Sequence, residues 1–160
     1  LACQLVENHK DFKNTVLIGL QPRGTFLIEK ILEIFKKNYP YINIDSGILD
    51  FTFFRDDFRR SEKTLKASST QMNFSVENKK VVLIDDVLFT GRSIKAAMSS
   101  MDSYGRPNSI ELLVLIDRRY KREIPIQANY CGAKIDTFKG DRVNVVWNEN
   151  SEKNVIYIEN

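Results

Sequence analysis

The alternation of apolar and polar segments along the chain predicts an α/β fold. Short apolar runs at 16–20, 81–84 and 110–116 have the length and the β-branched content of buried strands. Residues 25–37 and 92–104 repeat apolar side chains at the spacing of an amphipathic helix. A strand, a helix and a further strand in this order form a right-handed crossover, so we expect a mostly parallel central sheet flanked by helices.

Less regular segments fill the rest of the chain. Residues 48–54 are rich in aromatic and β-branched side chains and are predicted to form another strand. The polar stretch 55–73 has no sustained period and is predicted to be a mobile loop. Residues 143–147 and 155–158 flank a polar loop tip at 148–154, which is the pattern of a hairpin. We expect this hairpin to cap one edge of the sheet.

Length and composition predict a single domain over residues 1–160. With 160 residues, of which 42% are hydrophobic, the chain is large enough to bury a core without disulfides. Cys3 and Cys131 lack the spacing of a disulfide framework or a zinc site, so we interpret them as free thiols in a reducing compartment. No apolar run reaches the roughly 18 residues that cross a bilayer, and we expect a cytoplasmic protein. The chain begins at Leu1, within a helical pattern, so we also expect a preceding N-terminal segment.

One segment carries most of the information about function. A buried strand at 81–84 leads into two acidic residues and then into a polar motif that opens a helix: Asp85, Asp86, Thr90, Gly91, Arg92 and Ser93. The first turn of a helix has amides without intrahelical partners and a partial positive charge, and both favour a bound phosphate. The glycine allows close approach, and the hydroxyls and the cation add contacts. Because the carboxylates stand where sugar hydroxyls or a hydrated metal would lie, the motif indicates a phosphorylated sugar.

Two other motifs that bind anions or metals fit this segment less well. A Walker A loop requires a glycine four residues before Gly-Lys-Ser/Thr, and Arg92 stands where that lysine would be. A receiver domain also places acidic residues at strand ends, but it needs no hydroxyl-rich turn directly after them. The remaining alternative is an acidic strand end that Ser or Thr happens to cap, and the length of the motif argues against it.

The motif resembles the phosphoribosyl pyrophosphate (PRPP) motif of type I phosphoribosyltransferases. The resemblance implies a mostly parallel sheet with flanking helices and a small hood. The sequence pattern of this chain predicts a C-terminal hairpin in addition. The resemblance covers nearly the whole chain and is greatest to the PyrR family, which comprises uracil phosphoribosyltransferases that are often also RNA attenuators of pyrimidine operons. It extends, in order, through Gly19-Leu20-Gln21-Pro22-Arg23-Gly24, Thr52-Phe53-Phe54-Arg55-Asp56-Asp57, Gly105-Arg106-Pro107, Leu115-Ile116-Asp117-Arg118 and Glu123-Ile124-Pro125-Ile126.

The resemblance implies a role for each polar segment that follows a predicted strand. It implies that the acidic pair holds the ribose and, mainly through water, Mg²⁺, and that the 90–93 turn holds the 5′-phosphate. The other implied contacts are a pyrophosphate loop at Pro22, Arg23 and Gly24, the root of a flexible loop at Arg55, Asp56 and Asp57, and a base and pyrophosphate side at Asp117, Arg118 and Cys131. The implied substrates are PRPP, carried with Mg²⁺, and a pyrimidine base.

The implied reaction transfers the phosphoribosyl group from PRPP to uracil, giving UMP and pyrophosphate. Relatives that act on 6-oxopurines usually carry an Asp before the Thr-Gly pair, whereas this chain has Phe89, like the PyrR branch. One loop departs from the family, whose regulators read Asp-Arg-Gly-His-Arg-Glu-Leu-Pro. Here residues 117–125 are one residue longer and lack the Gly-His.

An RNA-binding regulator that uses the site as a nucleotide sensor is the alternative function. The net charge is only +3, and the densest basic cluster is Arg118, Arg119, Lys121 and Arg122. Cys3 stands where the resemblance implies a histidine in the regulators, and His9 is out of register with that position. We therefore rank the enzyme above the RNA-binding regulator, and a catalytically silent nucleotide-binding paralogue third. The resemblance also implies a homo-oligomer.

Overall fold

A computed structural model of the chain describes residues 1–56, 68–138, 140–148 and 153–159. These residues form a five-stranded parallel sheet in the order β2-β1-β3-β4-β5 and a separate antiparallel pair, β6-β7. The strands are β1 Thr15–Leu20, β2 Asp45–Leu49, β3 Lys80–Leu88, β4 Ser109–Arg118, β5 Tyr130–Ile135, β6 Arg142–Val146 and β7 Val155–Glu159. The helices are α1 Ala2–His9, α2 Gly24–Asn38 and α3 Arg92–Met101. The predicted fold class is confirmed.

The central strand β3 divides the core into two layers. Val81 and Leu83 pack on the side of α3, whereas Val82 and Ile84 pack on the side of α1 and α2. This alternation follows from the two-residue period of a strand. It also places the next two side chains, Asp85 and Asp86, on opposite faces of the sheet.

Helix α2 buries an apolar stripe that the sequence predicts almost completely. The helical spacing predicts a buried face of Leu27, Ile31, Ile34 and Phe35. Leu27, Ile31 and Phe35 are buried, but Ile34 is 42% exposed and Ile28 is buried instead. The last turn of this helix carries Lys36 and Lys37, which favour the negative end of its dipole.

The predicted strand at 48–54 is wrong in its bounds. Strand β2 ends at Leu49 because its neighbour β1 ends at Leu20. The last hydrogen bond between them runs from the amide of Gln21 to the carbonyl of Leu49. Beyond this point Asp50 accepts the amide of Thr52 through its side chain, and Thr52–Phe54 forms a 3₁₀ turn.

Strands β3 and β4 are longer than predicted, and β5 was not predicted. The ladder between β3 and β4 continues through Asp85 opposite Val114 and Leu88 opposite Asp117, so the acidic residues lie within strands rather than after them. Strand β5 is a short edge strand whose apolar residues are interrupted by Gly132 and Lys134, which explains its weak signal. Helix α3 ends at Met101, and Asp102–Tyr104 continues as a 3₁₀ turn.

The predicted C-terminal hairpin is confirmed as the β6-β7 pair. It forms a sheet of its own and contacts helix α2, where Trp147 stacks on Phe26 with ring centroids 6.2 Å apart. Residues 149–152 of the predicted loop tip lie outside the described residues, as do residues 57–67 of the predicted mobile loop. Within the described ranges, the helices are too short or too polar to cross a bilayer.

Candidate active site

The carboxyl ends of the parallel strands bring three polar segments to one edge of the sheet. Residues 21–24 follow β1, residues 89–91 follow β3, and residues 119–125 follow β4. In open α/β sheets this edge is where ligands bind. The sequence predictions for these three segments therefore converge on one place.

A phosphate-sized cradle lies at the start of α3. Gly91 precedes the helix with a φ of 90° and has no side chain to cap it, and the hydroxyl of Thr90 accepts the amide of Arg92 at 3.4 Å. The following amides of the first turn have no partner within the helix, so they are available to an anion. A cavity of about 210 Å³ is lined by residues 90–94 together with Asp85, Arg55 and Asp56.

Residues 123 and 124 form the back of this cradle. The carbonyl of Thr90 accepts the amides of Glu123 at 2.9 Å and of Ile124 at 3.0 Å. A Cβ added at Gly91 would lie 3.1 Å from the Cβ of Ile124. Glycine is thus favoured at this position by its positive φ and by the close contact with Ile124.

The two acidic residues of the motif face different elements. Asp85 lines the cavity at α3, whereas Asp86 faces the start of α2, where its Oδ2 lies 3.7 Å from Nη1 of Arg23. The amide of Asp86 donates to Oδ1 of Asp85 at 2.9 Å. Oδ2 of Asp86 is buried without a hydrogen-bond partner among the described residues. An acceptor oxygen in this state fits a ligand hydroxyl or a metal-bound water.

Burial perturbs both carboxyl groups. Desolvation, followed by repulsion from Asp86, raises the pKa of Asp85 to about 8. Desolvation also raises the pKa of Asp86, and the positive charge of Arg23 partly opposes this change. A bound cation or hydroxyl donors would therefore stabilise the ionised form of both carboxyl groups and lower their pKa values.

The donor set fits magnesium that is carried by a substrate. Carboxylate oxygens are the ligands that Mg²⁺ prefers, and the pair Asp85 and Asp86 supplies them. The part of the chain that the structure describes contains no group of three or more acidic, His or Cys residues able to enclose a metal. An ion at this edge would therefore take its other ligands from water and from substrate phosphates.

The loop at 21–24 packs directly on β3. A Cβ at Gly24 would collide with the carbonyl oxygen of Ile84, so glycine is required where α2 begins. The hydroxyl of Thr25 donates to the carbonyl of Pro22 at 2.7 Å and holds the turn. This packing places the guanidinium of Arg23 beside the carboxylate of Asp86.

The predicted base side is built around Phe89. The guanidinium of Arg118 lies 3.8 Å from the centroid of the Phe89 ring, and the side chain of Arg122 donates to the Phe89 carbonyl. Arg122 also pairs with the carboxylate of Asp117. The 3₁₀ turn Arg119–Lys121 follows β4 directly, and Arg122 comes next in the chain.

Arg118 and Cys131 have protein partners of their own. Arg118 is 6% exposed and donates to the hydroxyl of Thr137 and, at 2.8 Å, to the carbonyl of Asp141. Cys131, in β5, lies opposite Val114 of β4, and its thiol donates to the carbonyl of Ala133 at 3.2 Å. Burial and then the charge of Asp117 raise the pKa of the Cys131 thiol.

Arg92 points away from the first turn of α3 toward two carboxylates. Its guanidinium pairs with Asp56 and with Glu123, and both partners raise its pKa. Asp57, predicted beside Asp56, lies outside the described residues. Sequence reasoning did not assign Glu123 or Arg122 to the site, although Glu123 lies in a segment that carries the resemblance and Arg122 directly precedes it.

Comparisons with known proteins agree with this geometry. Residues 1–149 match the model of the phosphoribosyl transferase domain. The chain is 40% identical to "Bifunctional protein PyrR" of Caldicellulosiruptor bescii, over 98% of the chain and 85% of that protein. It is 41% identical to "Bifunctional protein PyrR 2" of Lactiplantibacillus plantarum, over 91% of the chain and 82% of that protein.

A solved hypoxanthine phosphoribosyltransferase from Staphylococcus aureus has the same fold. It superposes with a TM-score of 0.63 at 24% identity, over 86% of this chain and 70% of that one. At this identity the likeness concerns the fold alone. Taken with the family match and the sequence relatives, it places the chain in the type I phosphoribosyltransferase family, among the PyrR proteins.

Proposed function

We propose that the chain transfers the 5-phosphoribosyl group of PRPP to uracil, forming UMP and pyrophosphate. The observation that carries this proposal is the cavity in which the start of α3 and Asp85 meet. In a bound ribose 5-phosphate, the phosphate would lie at the start of α3 and the ribose hydroxyls would lie at the carboxylate of Asp85. The loop with Arg23 lies across β3 from this cavity, in contact with Asp86.

The 5′-phosphate is proposed to bind at residues 90–93. Amides of the first turn of α3 and the hydroxyls of Thr90 and Ser93 are the donors, and the helix dipole adds a favourable field. Asp85 is proposed to accept hydrogen bonds from the ribose hydroxyls. Asp86 offers its buried Oδ2, which has no hydrogen-bond partner among the described residues, to a hydroxyl or to water on the metal.

The pyrophosphate is proposed to leave toward the loop at 22–24. There Arg23 and the backbone amides meet an anionic group at the amino end of α2. Mg²⁺ bound to PRPP supplies charge neutralisation for the departing pyrophosphate. Asp117, Arg118 and Cys131 are proposed to shape the base and pyrophosphate side, with Arg118 acting from behind Phe89.

The reaction needs no protein nucleophile. The bond between C1 of the ribose and the pyrophosphate oxygen breaks, the electron pair leaves with pyrophosphate, and a ring nitrogen of the base forms the new bond to C1 and loses its proton. Positive charge develops on the ribose ring during this exchange. Asp85 and Asp86 are proposed to stabilise that charge once bound hydroxyls or a cation favour their ionised forms, and the positioned phosphate holds C1 for attack.

Uracil is the proposed acceptor because of Phe89 and because of the relatives. An aromatic side chain at this position cannot exchange a proton with a purine nitrogen. The sequence relatives carry the name PyrR, whereas the solved structures with the same fold are hypoxanthine enzymes of low identity. The sequence relatives therefore count for more in the choice of base.

A panel of bases tests the proposal. The protein is incubated with Mg²⁺ and PRPP together with uracil, hypoxanthine, guanine, orotate or adenine, and pyrophosphate and nucleotide are measured. We expect UMP from uracil and little nucleotide from the other bases. Nucleotide from hypoxanthine or guanine would reassign the acceptor, and no product with any base would contradict an enzymatic role.

RNA binding is the second candidate function, and the word "bifunctional" in the names of the relatives favours it. The basic cluster at 118–122 gives it little support. The guanidinium groups of this cluster contact Thr137, Asp136 and Asp117, and Lys121 Nζ lies 6.0 Å from the centroid of the Phe89 ring. We therefore keep the enzyme as the main proposal.

A further inference from the structure

The side chain of Arg92 joins three segments at the cradle. It starts from the first turn of α3 and pairs with Asp56, which follows the 3₁₀ turn Thr52–Phe54, and with Glu123, which follows β4. These side chains are 52%, 50% and 48% exposed. A single guanidinium with two carboxylate partners on different segments is suited to fixing their relative positions.

The charges of this group oppose a direct role in binding phosphate. The guanidinium carries one positive charge, and its two carboxylate partners carry one negative charge each. The trio is therefore net negative, which disfavours a phosphate beside Arg92. In the structure Nε of Arg92 donates to Glu123 and Nη1 donates to Asp56.

The backbone connects Glu123 to the same turn that the phosphate is proposed to use. The amides of Glu123 and Ile124 donate to the carbonyl of Thr90, and Ile124 lies against Gly91. The position of this segment therefore sets where the carbonyl of Thr90, and with it the 90–93 turn, is held. Asp56 lines the cavity itself.

We propose that Glu123 is a positioning residue for PRPP binding, and that with Arg92 it forms a clamp that holds the cradle in its binding shape. We call this pair, Arg92 and Glu123, the clamp. The proposal rests on the proposed function, because it concerns the site assigned there to the 5′-phosphate. It gives the side chain of Arg92 a structural task at the cradle and leaves phosphate binding to the amides and hydroxyls.

The expected effect is a loss of affinity with little loss of stability. An exposed ion pair contributes little to folding, and the backbone bonds to Thr90 remain when the side chain of Glu123 is neutralised. A misplaced binding group has a larger effect, up to roughly 10²-fold for a shift of 1 Å. We expect about tenfold weaker binding of Mg-PRPP in Glu123→Gln, between these two limits.

The test measures binding without a base, so that it does not depend on uracil as the acceptor. Mg-PRPP and ribose 5-phosphate are titrated by calorimetry into the wild type, Glu123→Gln, Arg92→Gln and the double variant. Glu33→Gln is the matched control, because it removes an exposed carboxylate paired with Lys30 on α2. Melting temperatures are measured for all five proteins.

A clamp predicts that both single variants weaken both ligands to a similar degree and that the double variant is no worse than either. The control should bind like the wild type, and in turnover assays the KM for PRPP should rise more than kcat falls. Wild-type affinity or tighter binding in Glu123→Gln, with a loss in Arg92→Gln, would overturn the proposal and make Arg92 a phosphate ligand that Glu123 competes for.

The failure of the proposed function would look different. A wild type that binds ribose 5-phosphate but not Mg-PRPP would overturn the transferase proposal, and ribose 5-phosphate would still test the clamp. A wild type that binds neither ligand would overturn both proposals. An equal loss of melting temperature and affinity in Glu123→Gln, absent from the control, would reduce Glu123 to a residue needed for folding and would contradict its positioning role.

Discussion

Arg118 covers one face of the Phe89 ring, with its guanidinium carbon 3.8 Å from the ring centroid. The same guanidinium donates to Thr137 and to the carbonyl of Asp141, beyond β5. This contact joins the loop after β3 to the segment after β5 across β4. Phe89, on which the proposal of uracil partly rests, is therefore held in place by the buried guanidinium of Arg118. Burial lowers the pKa of Arg118.

Replacing Phe89 by Leu should lower kcat/KM for uracil. The change removes the ring that Arg118 contacts and keeps an apolar side chain, and cation–π contacts are worth about 0.5–2 kcal/mol, or about 2- to 30-fold in rate. Phe89→Tyr keeps the ring and serves as the control. Steady-state kinetics with uracil and hypoxanthine measure the effect, and unchanged uracil kinetics in Phe89→Leu would remove Phe89 from the base site.

Removing the hydroxyl of Thr90 should impair the use of PRPP far more than folding. Thr90 belongs to the turn proposed to hold the 5′-phosphate, and loss of one well-placed donor at such a site costs roughly 10²–10³ in rate. Ser103→Ala, an exposed hydroxyl just beyond the end of α3, is the control. PRPP kinetics and melting temperature are compared for Thr90→Ala, and wild-type kinetics would contradict the assignment of the cradle.

The buried acidic pair should make the ligand-free protein less stable as pH rises. The pKa of Asp85 is raised from 3.8 to about 8, so the folded state holds this proton more tightly than the unfolded state does. Below the lower value the group is protonated in both states and has no effect. Between the two values stability falls with pH, and above about 8 the full penalty for the buried charge is present.

Asp85→Asn removes this penalty and keeps Oδ1 as an acceptor for the amide of Asp86. We expect the variant to match the wild type near pH 4 and to exceed its stability above pH 8, by roughly 1.4 kcal/mol for each unit by which folding raises the pKa. Its kcat/KM for PRPP should fall by about 1–3 kcal/mol, since a charged acceptor for the ribose is lost. Urea unfolding across this pH range is the measurement, and a constant difference at all pH values would contradict the raised pKa.

Neutralising Asp86 tests the other carboxyl of the pair. Asp86→Asn should also reduce kcat/KM for PRPP, by about 1–3 kcal/mol, because its Oδ2 is buried without a hydrogen-bond partner among the described residues and is proposed to bind a hydroxyl or metal-bound water. The fold should survive, because an amide is isosteric with the carboxyl. If both Asp85→Asn and Asp86→Asn kept wild-type kinetics, the pair would be an acidic strand end without a role in binding.

The local parts of the fold could be predicted from the sequence, and the long-range contacts could not. β3, α3 and β4 have continuous apolar runs or helical spacing, and the phosphate motif lies between two of them. Strand β5 gives almost no signal, because a short edge strand interrupted by Gly132 and Lys134 resembles a loop. Arg118, at the end of β4, contacts Phe89 after β3, and Arg92 before β4 contacts Glu123 after it. No spacing rule predicts pairs so far apart in the chain.

Several sequence predictions stay predictions. They are the single-domain organisation, the cytoplasmic location, the homo-oligomer and the mobility of the 55–73 loop. The last of these falls mostly on residues outside the described ranges. Hydrogen exchange with and without Mg-PRPP tests it directly, and strong protection of those amides in the free protein would contradict it.

Gly24→Ala should destabilise the protein and weaken PRPP use together. The added methyl group would collide with the carbonyl of Ile84, so α2 has to move away from β3 and carry Arg23 with it. Overpacking of this kind costs about 1–3 kcal/mol. Urea unfolding and PRPP kinetics check the result, with Glu33→Ala on the exposed side of α2 as the control. Wild-type stability would show that the turn can relax without moving the helix.

RNA binding is expected to be weak and nearly independent of sequence. Three arginines of the basic cluster are committed to protein partners, Arg118 to Thr137, Arg119 to Asp136 and Arg122 to Asp117. Cys3 stands where the resemblance implies a histidine in the regulators, and the net charge is only +3. Few phosphate contacts are therefore available.

Salt dependence measures the number of those contacts. On single strands log K falls with log salt with a slope of about 0.7 per phosphate contact, and we expect a total slope of only about 1–2. Binding of the full-length protein to a pyrimidine leader RNA is compared with a scrambled RNA over a range of salt. Arg119→Ala, which removes a cation already paired with Asp136, should leave the slope unchanged. Sequence-specific binding that UMP strengthens at physiological salt would instead establish RNA regulation as a second function. Arg119 and Arg122 would then have to leave their carboxylate partners for phosphates.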